Sequence, residues 1–228
     1  MKYYWVRRHK SPFLILFYNG WALDEKPFLH LTSIKHDILI LYDYTLLKFP
    51  PTHLFTNYQK IYQIGFSSGA FIMAYFYTKN TVLSSQSIFY VINGSTQIIS
   101  PLYGINPIIF EKTLLYLSQT MDRTKFDRNM FLSEEEYHRF LQCLPNRSAN
   151  NILKELLTLK KMFVQNNVAL PPRTIFLISK NDKIIPPSSQ KRFCQNYDFS
   201  YKEINGGHFP FFLWASWDDL MMEFQNEG

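Results

Sequence analysis

Three side chains, far apart in the chain, have the types and settings to cleave an acyl bond together. Ser67 stands in Gly65-Phe66-Ser67-Ser68-Gly69, after an apolar, β-forming run and before a helix-compatible one. Gly-x-Ser-x-Gly between strand and helix is the pattern of a nucleophile elbow, a strained turn that pushes the serine hydroxyl out above a sheet. The flanking glycines suit a turn too tight for side chains, and the helix N-terminus favours developing negative charge. Asp182 follows the apolar run Thr174–Ser179, and His208 follows Gly206-Gly207 just after Tyr201–Ile204. A serine hydroxyl is a poor nucleophile at neutral pH. A neutral imidazole can take its proton during attack and return it to the leaving group, while a carboxylate fixes the ring's tautomer and steadies the imidazolium. The order serine, acid, histidine is that of the α/β-hydrolases. Ser67 is therefore expected as nucleophile, His208 as general base and acid, and Asp182 as orienter.

Each residue has a plainer reading. The serine pattern also occurs in ordinary strand–helix turns, Asp182 in Asn-Asp-Lys could be a turn residue, and His208 could be a surface histidine. Asp198 competes for the acid's role but is offset from the strand end. His9, His30, His36, His53 and His138 lack comparable placement. The combined order and strand-end positions favour the triad. An oxyanion hole needs two inward backbone N–H groups. Ser68 supplies the first, and the Asn19-Gly20-Trp21 turn the second, through Trp21, with Gly20 letting the backbone turn inward.

The elements that must position these residues alternate. Phe13–Tyr18 and Asp37–Tyr42 read as buried strands, Tyr3–Val6 as a short edge strand and Ser87–Ile92 as the strand after the elbow helix. Asp24–Ser33 could hold a short helix. Pro187–Tyr197 and Phe211–Phe224 read as helices around a last strand, Tyr201–Ile204. Strand–helix alternation implies an α/β fold with a mostly parallel sheet, whose chemistry gathers at the carboxyl ends of the strands. Residues 107–166 show only helical spacing. Pro107–Gln119 forms one helix. Ser133 with Glu136 starts another as a capping box, running to about Leu144. Ser148–Asn166 forms a third. The expected organisation is a hydrolase core of residues 1–100 and 168–228 with a helical lid inserted at 101–167.

Composition bounds the class. The chain has 228 residues, 46% of them hydrophobic, with 21 Phe and 15 Tyr, enough for a large core. No apolar run reaches the roughly 18 residues of a membrane span. The basic N-terminus with Phe13–Tyr18 imitates a signal peptide but lacks a small-residue cleavage site. Two cysteines, Cys143 and Cys194, make no disulfide framework, so the cytoplasm is the expected compartment. The net charge of +6 favours an acidic partner. No RNA-binding signature, zinc spacing or basic helix run points to nucleic acid. No cofactor, metal or membrane is expected, and a monomer is.

These residues resemble a family. Phe17-Tyr18-Asn19-Gly20-Trp21, Leu41-Tyr42-Asp43-Tyr44, Gly65–Gly69, Ile92-Asn93-Gly94-Ser95, Tyr103-Gly104-Ile105 and Gly206-Gly207-His208-Phe209 are similar to BioG-type pimeloyl-acyl carrier protein methyl ester esterases of biotin synthesis, across nearly the whole chain. That family's elbow commonly reads Trp-Ser-Met-Gly, whereas this one reads Phe66-Ser67-Ser68-Gly69. The resemblance implies a compact α/β-hydrolase that removes the methyl cap from a seven-carbon acyl chain held on acyl carrier protein. The carrier is acidic, and the basic residues of the insertion, Arg123, Lys125, Arg128, Arg139, Arg147, Lys154, Lys160 and Lys161, would suit it as a group, while each taken singly also reads as part of a solvated helix face. Phe66, Trp21, Leu102, Tyr103, Phe209 and Phe211 are candidate pocket walls, with plain core packing the alternative for each. Rival readings are an acyl-carrier thioesterase or generalist esterase with the same triad, and an inactive hydrolase fold that only binds the carrier.

Overall fold

A computed structural model describes residues 1–79, 83 and 86–225. Seven strands form one sheet: β1 (Lys2–Arg7), β2 (Phe13–Tyr18), β3 (Asp37–Tyr42), β4 (Lys60–Phe66), β5 (Ser87–Ile92), β6 (Ile175–Ser179) and β7 (Tyr201–Ile204). Their order is β1-β3-β2-β4-β5-β6-β7. Every pairing is parallel except β1 with β3, where the exposed first strand closes the edge antiparallel. The order reverses on either side of β2 and β4. Their carboxyl ends therefore flank the switch point where open α/β sheets hold ligands.

The strand sequences explain this layering. β2 and β3 are buried nearly end to end, as continuous apolar runs must be when both faces of a parallel sheet are covered. Alternate residues divide between two cores. Leu14, Leu16, Leu39 and Leu41 pack toward α1 (Gly69–Lys79), α5 (Ala149–Gln165) and α6 (Pro187–Asn196). Ile15, Phe17, Ile38 and Ile40 pack toward α4 (Glu134–Leu141) and α7 (Trp217–Gln225).

Between β5 and β6 the described structure is helical: α2 (Pro107–Thr120), α3 (Thr124–Asn129), α4 and α5. Asn106 caps α2, accepting from Ile108 N–H with Pro107 at the first turn. Ser133 caps α4 through Glu136 N–H. The return bond lands one residue early: Glu136 Oε2 accepts from Leu132 N–H at 2.9 Å, not from Ser133.

Four expectations change. The short α3 has no apolar period to announce it. Asp24–Ser33 holds only a 3-10 turn, Lys26–Phe28. The helix expected to run to about Leu144 stops at Leu141. The closing helix is split into a 3-10 turn, Phe211–Leu213, and α7. The break is held by backbone bonds of Thr32 with Ala215 and Trp217, which draw residues 214–216 into an extended bridge.

Candidate active site

Ser67 sits between β4 and α1 in the left-handed region, φ 53°. Only close packing around the turn maintains that conformation in a non-glycine residue. The glycines provide the room. A Cβ on Gly69 would lie 2.0 Å from the Tyr18 carbonyl oxygen, and one on Gly65 2.5 Å from Ala70 Cα. Both are needed for close approach, since neither has positive φ. Gly20 is also a matter of space: a Cβ there would press on the Phe66 ring at 3.1 Å. The left-handed residue of that loop is Ala22, φ 69°.

The other two residues converge on this turn. His208 Nε2 lies 3.0 Å from Ser67 Oγ, and His208 Nδ1 lies 2.8 Å from Asp182 Oδ2. A carboxylate only accepts, so Nδ1 carries the proton and Nε2 is left to accept from the serine hydroxyl. Asp182 is 5% exposed and His208 2%. The buried carboxyl group is fixed in place by donors: Oδ1 accepts from Ile184 and Ile185 N–H, and Oδ2 also accepts from Gln190 Nε2 at 3.0 Å. Asn93, at the end of β5, secures the histidine loop. Its Nδ2 donates to the carbonyls of Gly207 and His208 and to Ser179 Oγ, and its Oδ1 accepts from Ser179 N–H. The Phe66 ring lies 5.2 Å from the imidazole. Gln190 had no sequence signal, and Asn93 stood out only within the Ile92-Asn93-Gly94-Ser95 motif, with no role attached.

A second Ser-His-Asp group shows the difference between such a relay and a structural cluster. His36 Nδ1 lies 2.7 Å from Asp218 Oδ1, but Ser33 Oγ donates to the same carboxylate and not to the ring. That carboxylate also accepts from Ile34 N–H, so it caps a turn.

The Asn19-Gly20-Trp21 loop is pinned from several sides. Trp21 N–H donates to Ser68 Oγ at 2.9 Å, and its indole N–H to the Ile152 carbonyl on α5 at 3.0 Å. Gly20 N–H donates to Asn19 Oδ1. Ala22 N–H and Tyr44 N–H both donate to the Glu155 carboxylate, which is fully buried on α5 and paired with Arg147 at 2.7 Å. Burial raises the Glu155 carboxyl from its ordinary range, opposed by Arg147 and the two N–H groups.

A cavity of about 560 Å³ opens beside Ser67. Its walls include Trp21, Phe66, Phe110, Phe126, Leu156 and Phe163, with Lys112, Lys125 and Lys183 among its charged residues. Of the expected pocket residues Phe66 and Trp21 line it, and the other four do not. Leu102 is 49% exposed, and Tyr103 packs on Phe193 and Tyr197. Phe209 and Phe211 point into the aromatic core around Phe28.

The basic residues also divide. Arg147 is no docking residue: its side chain is 3% exposed and bound to Glu155 and Asp43. Arg123 is folded onto Asp127 and the Ala22 carbonyl. Lys125, Arg128, Arg139 and Lys154 are exposed, Arg128 beside Glu134 and Arg139 over the Phe212 ring. Lys160 pairs with Glu111, and Lys161 is exposed.

A mostly parallel sheet with a serine on a strained strand–helix turn, and an acid and a histidine from later strand ends, defines an α/β-hydrolase fold. The chain belongs to the family described as pimeloyl-ACP methyl esterase BioG, whose model matches residues 1–220. BioG from Haemophilus influenzae superposes with a TM-score of 0.82 at 27% identity, covering 96% of this chain and 99% of that one. A lipase-esterase related protein from Clostridium acetobutylicum shares the fold, with a TM-score of 0.70 at 15% identity and coverage of 99% and 98%. A curated relative from Bacteroides fragilis, named malonyl-[acyl-carrier protein] O-methyltransferase, is 32% identical over 199 residues. The match takes 86% of this chain but spans only 39% of that protein's length. Among the described residues no helix is long and apolar enough to cross a membrane.

Proposed function

We propose that this protein is a serine carboxylesterase that hydrolyses the methyl ester of pimeloyl-acyl carrier protein methyl ester, releasing methanol, in biotin synthesis. The single observation that carries the reading is the hydrogen-bonded line from Ser67 Oγ through His208 to Asp182, set at the mouth of an apolar cavity. Membership of the BioG family supports the substrate.

The chemistry follows from that line. Ser67 Oγ attacks the ester carbonyl while His208 Nε2 takes its proton. Asp182, held by three protein donors, stabilises the imidazolium without leaving its place. The tetrahedral intermediate collapses, and His208 returns the proton to the departing methoxy group. Water then attacks the acyl-enzyme with the same histidine as base, leaving a free carboxylate on the acyl chain. The helices between β5 and β6 act as a lid whose inner side receives the methylenes. A linear chain threaded from outside presents its distal ester to Ser67 and leaves the thioester near the entrance. The exposed Lys125, Arg128, Arg139 and Lys154 supply positive charge for an acidic carrier protein. An O-methyltransferase forms the kind of bond that a methyl esterase breaks, and most of the Bacteroides relative lies outside the match.

The test is mass spectrometry of methyl pimeloyl-carrier after incubation. Loss of one CH2 unit, with the acyl chain still on the carrier, is the expected result. Release of the acyl chain would instead establish a thioesterase. Ser67→Ala should lose about three orders of magnitude or more in turnover while still binding carrier, and full activity in that variant would remove Ser67 from the mechanism.

A further inference from the structure

We propose that the Ser68 hydroxyl is itself an oxyanion donor, passing on the hydrogen bond of Trp21 N–H to the developing negative charge. This rests on the assignment of Ser67 as nucleophile and concerns how the same site holds the intermediate. In the simplest hydrolase arrangement the second hole donor is a backbone N–H that faces the substrate oxygen directly. Here that N–H is already engaged: Trp21 donates to Ser68 Oγ at 2.9 Å.

Two routes could restore a second donor. In the first, Trp21 N–H swings away from Ser68 toward the substrate. The loop is poorly placed to do so. Its neighbour Ala22 is tied to Glu155, the Trp21 indole is tied to Ile152, and Gly20 N–H is tied to Asn19. In the second route nothing moves but a hydroxyl rotor. A serine hydroxyl carries one donor besides its acceptor lone pairs. Trp21 uses the acceptor side, and among the described residues no protein group accepts the Ser68 O–H. Ser68 is 4% exposed, so that O–H is not spent on bulk water. Ser68 lines the cavity with Gly20, Trp21, Ser67 and His208. An O–H whose oxygen already accepts a hydrogen bond is a stronger donor than an isolated one, because successive bonds polarise each other. The hole then consists of Ser68 N–H and Ser68 O–H, with Trp21 N–H behind the hydroxyl. The opposite possibility is that the hydroxyl only blocks Trp21 N–H, in which case deleting it would quicken the enzyme.

The experiment uses the full chain with a short-chain p-nitrophenyl ester, which tests the chemical step without carrier docking, and with butylboronic acid, which mimics the tetrahedral adduct. Ser68→Ala should lower kcat about 10- to 100-fold with KM within about twofold. That is at or below the effect of deleting a lone hole donor, because Ser68 N–H remains. Boronate affinity should fall by a similar factor, a loss that a purely structural role would not produce in folded protein. Ser68→Thr, which keeps the hydroxyl, should retain most activity and boronate affinity, and Ser68→Cys, a weaker donor, should fall between. Ser68→Ala with kcat at or above that of the wild type, or with unchanged boronate affinity, overturns the proposal. So does equal loss in the alanine and threonine variants. If Ser67→Ala remains active on the same ester, the nucleophile assignment fails first and takes this inference with it; an inert Ser67→Ala beside a fully active Ser68→Ala rejects this inference alone.

Discussion

Replacing Glu155 by glutamine tests whether the loop of residues 19–22, the proposed oxyanion loop, depends on a single carboxylate in α5. The substitution preserves shape. In the native protein Glu155 Oε1 accepts from Tyr44 N–H, and Oε2 accepts from Ala22 N–H and Arg147 Nη1. A glutamine offers one oxygen and one NH2. Whichever way it is turned, the NH2 faces at least one N–H donor, leaving a buried donor unsatisfied at about 1–3 kcal/mol. Arg147, also buried, loses its closest counter-charge, keeping Asp43 at 3.3 Å and Asn151. Removing one partner of a buried pair costs about 3–5 kcal/mol, and the donor clash is part of that figure. For a chain of this length the melting temperature should fall by roughly 6–20 °C, at about 2–4 °C per kcal/mol. Differential scanning calorimetry or urea unfolding measures it, and esterase activity at a temperature where the variant is folded should also be lower, because Ala22 adjoins Trp21. A fall under about 2 °C would refute the reasoning, since it would put Glu155 on a par with a solvent-exposed charge.

Other outcomes follow from the same geometry. Gly69→Ala should fail to yield folded protein in a soluble-expression and circular dichroism assay, because its Cβ would sit 2.0 Å from the Tyr18 oxygen and backbone cannot yield there. Asp43 feels desolvation, which raises its pKa, but Thr45, Lys2, Arg147 and Asn151 together pull it down to about 2. A depressed native pKa contributes stability above the ordinary carboxyl value that is lost as pH falls through the native one, so unfolding free energy should drop between about pH 4 and 2, and Asp43→Asn should flatten that limb. If the exposed insertion charges guide a carrier, kcat/KM on carrier-bound ester should fall with added salt while a free methyl ester is barely affected. Equal responses would discard electrostatic docking.

Much of this architecture was legible because the strands are continuous apolar runs ended by Gly, Asn or Asp. β2, β3 and β5 begin and end where those runs do. The convergence of Ser67, Asp182 and His208 was legible because strand-end position in a parallel sheet fixes which edge a residue occupies. Side-chain direction was not. Phe209 and Phe211 follow the histidine closely in sequence, yet both pack into the aromatic core around Phe28. Arg147 looked like any helix-flanking charge; its burial depends on Glu155 and Asp43, and the contact with Asp43 spans more than a hundred residues. The short α3 carries no hydrophobic period, and its place is set by Arg123 reaching across to Asp127 and Ala22.

Asp43, Ser67 and Asn93 end three sheet strands in left-handed backbone, with φ of 57°, 53° and 48°. Each invites the protein engineer's usual remedy, replacement by glycine to relax the backbone. Each would exact more than it returned: Asp43 holds Lys2 and Arg147, Ser67 is the proposed nucleophile, and Asn93 makes four hydrogen bonds around the histidine loop. A search for heat-resistant variants should therefore leave this rim untouched and gather its gains on the far side of the sheet and on outer helix faces.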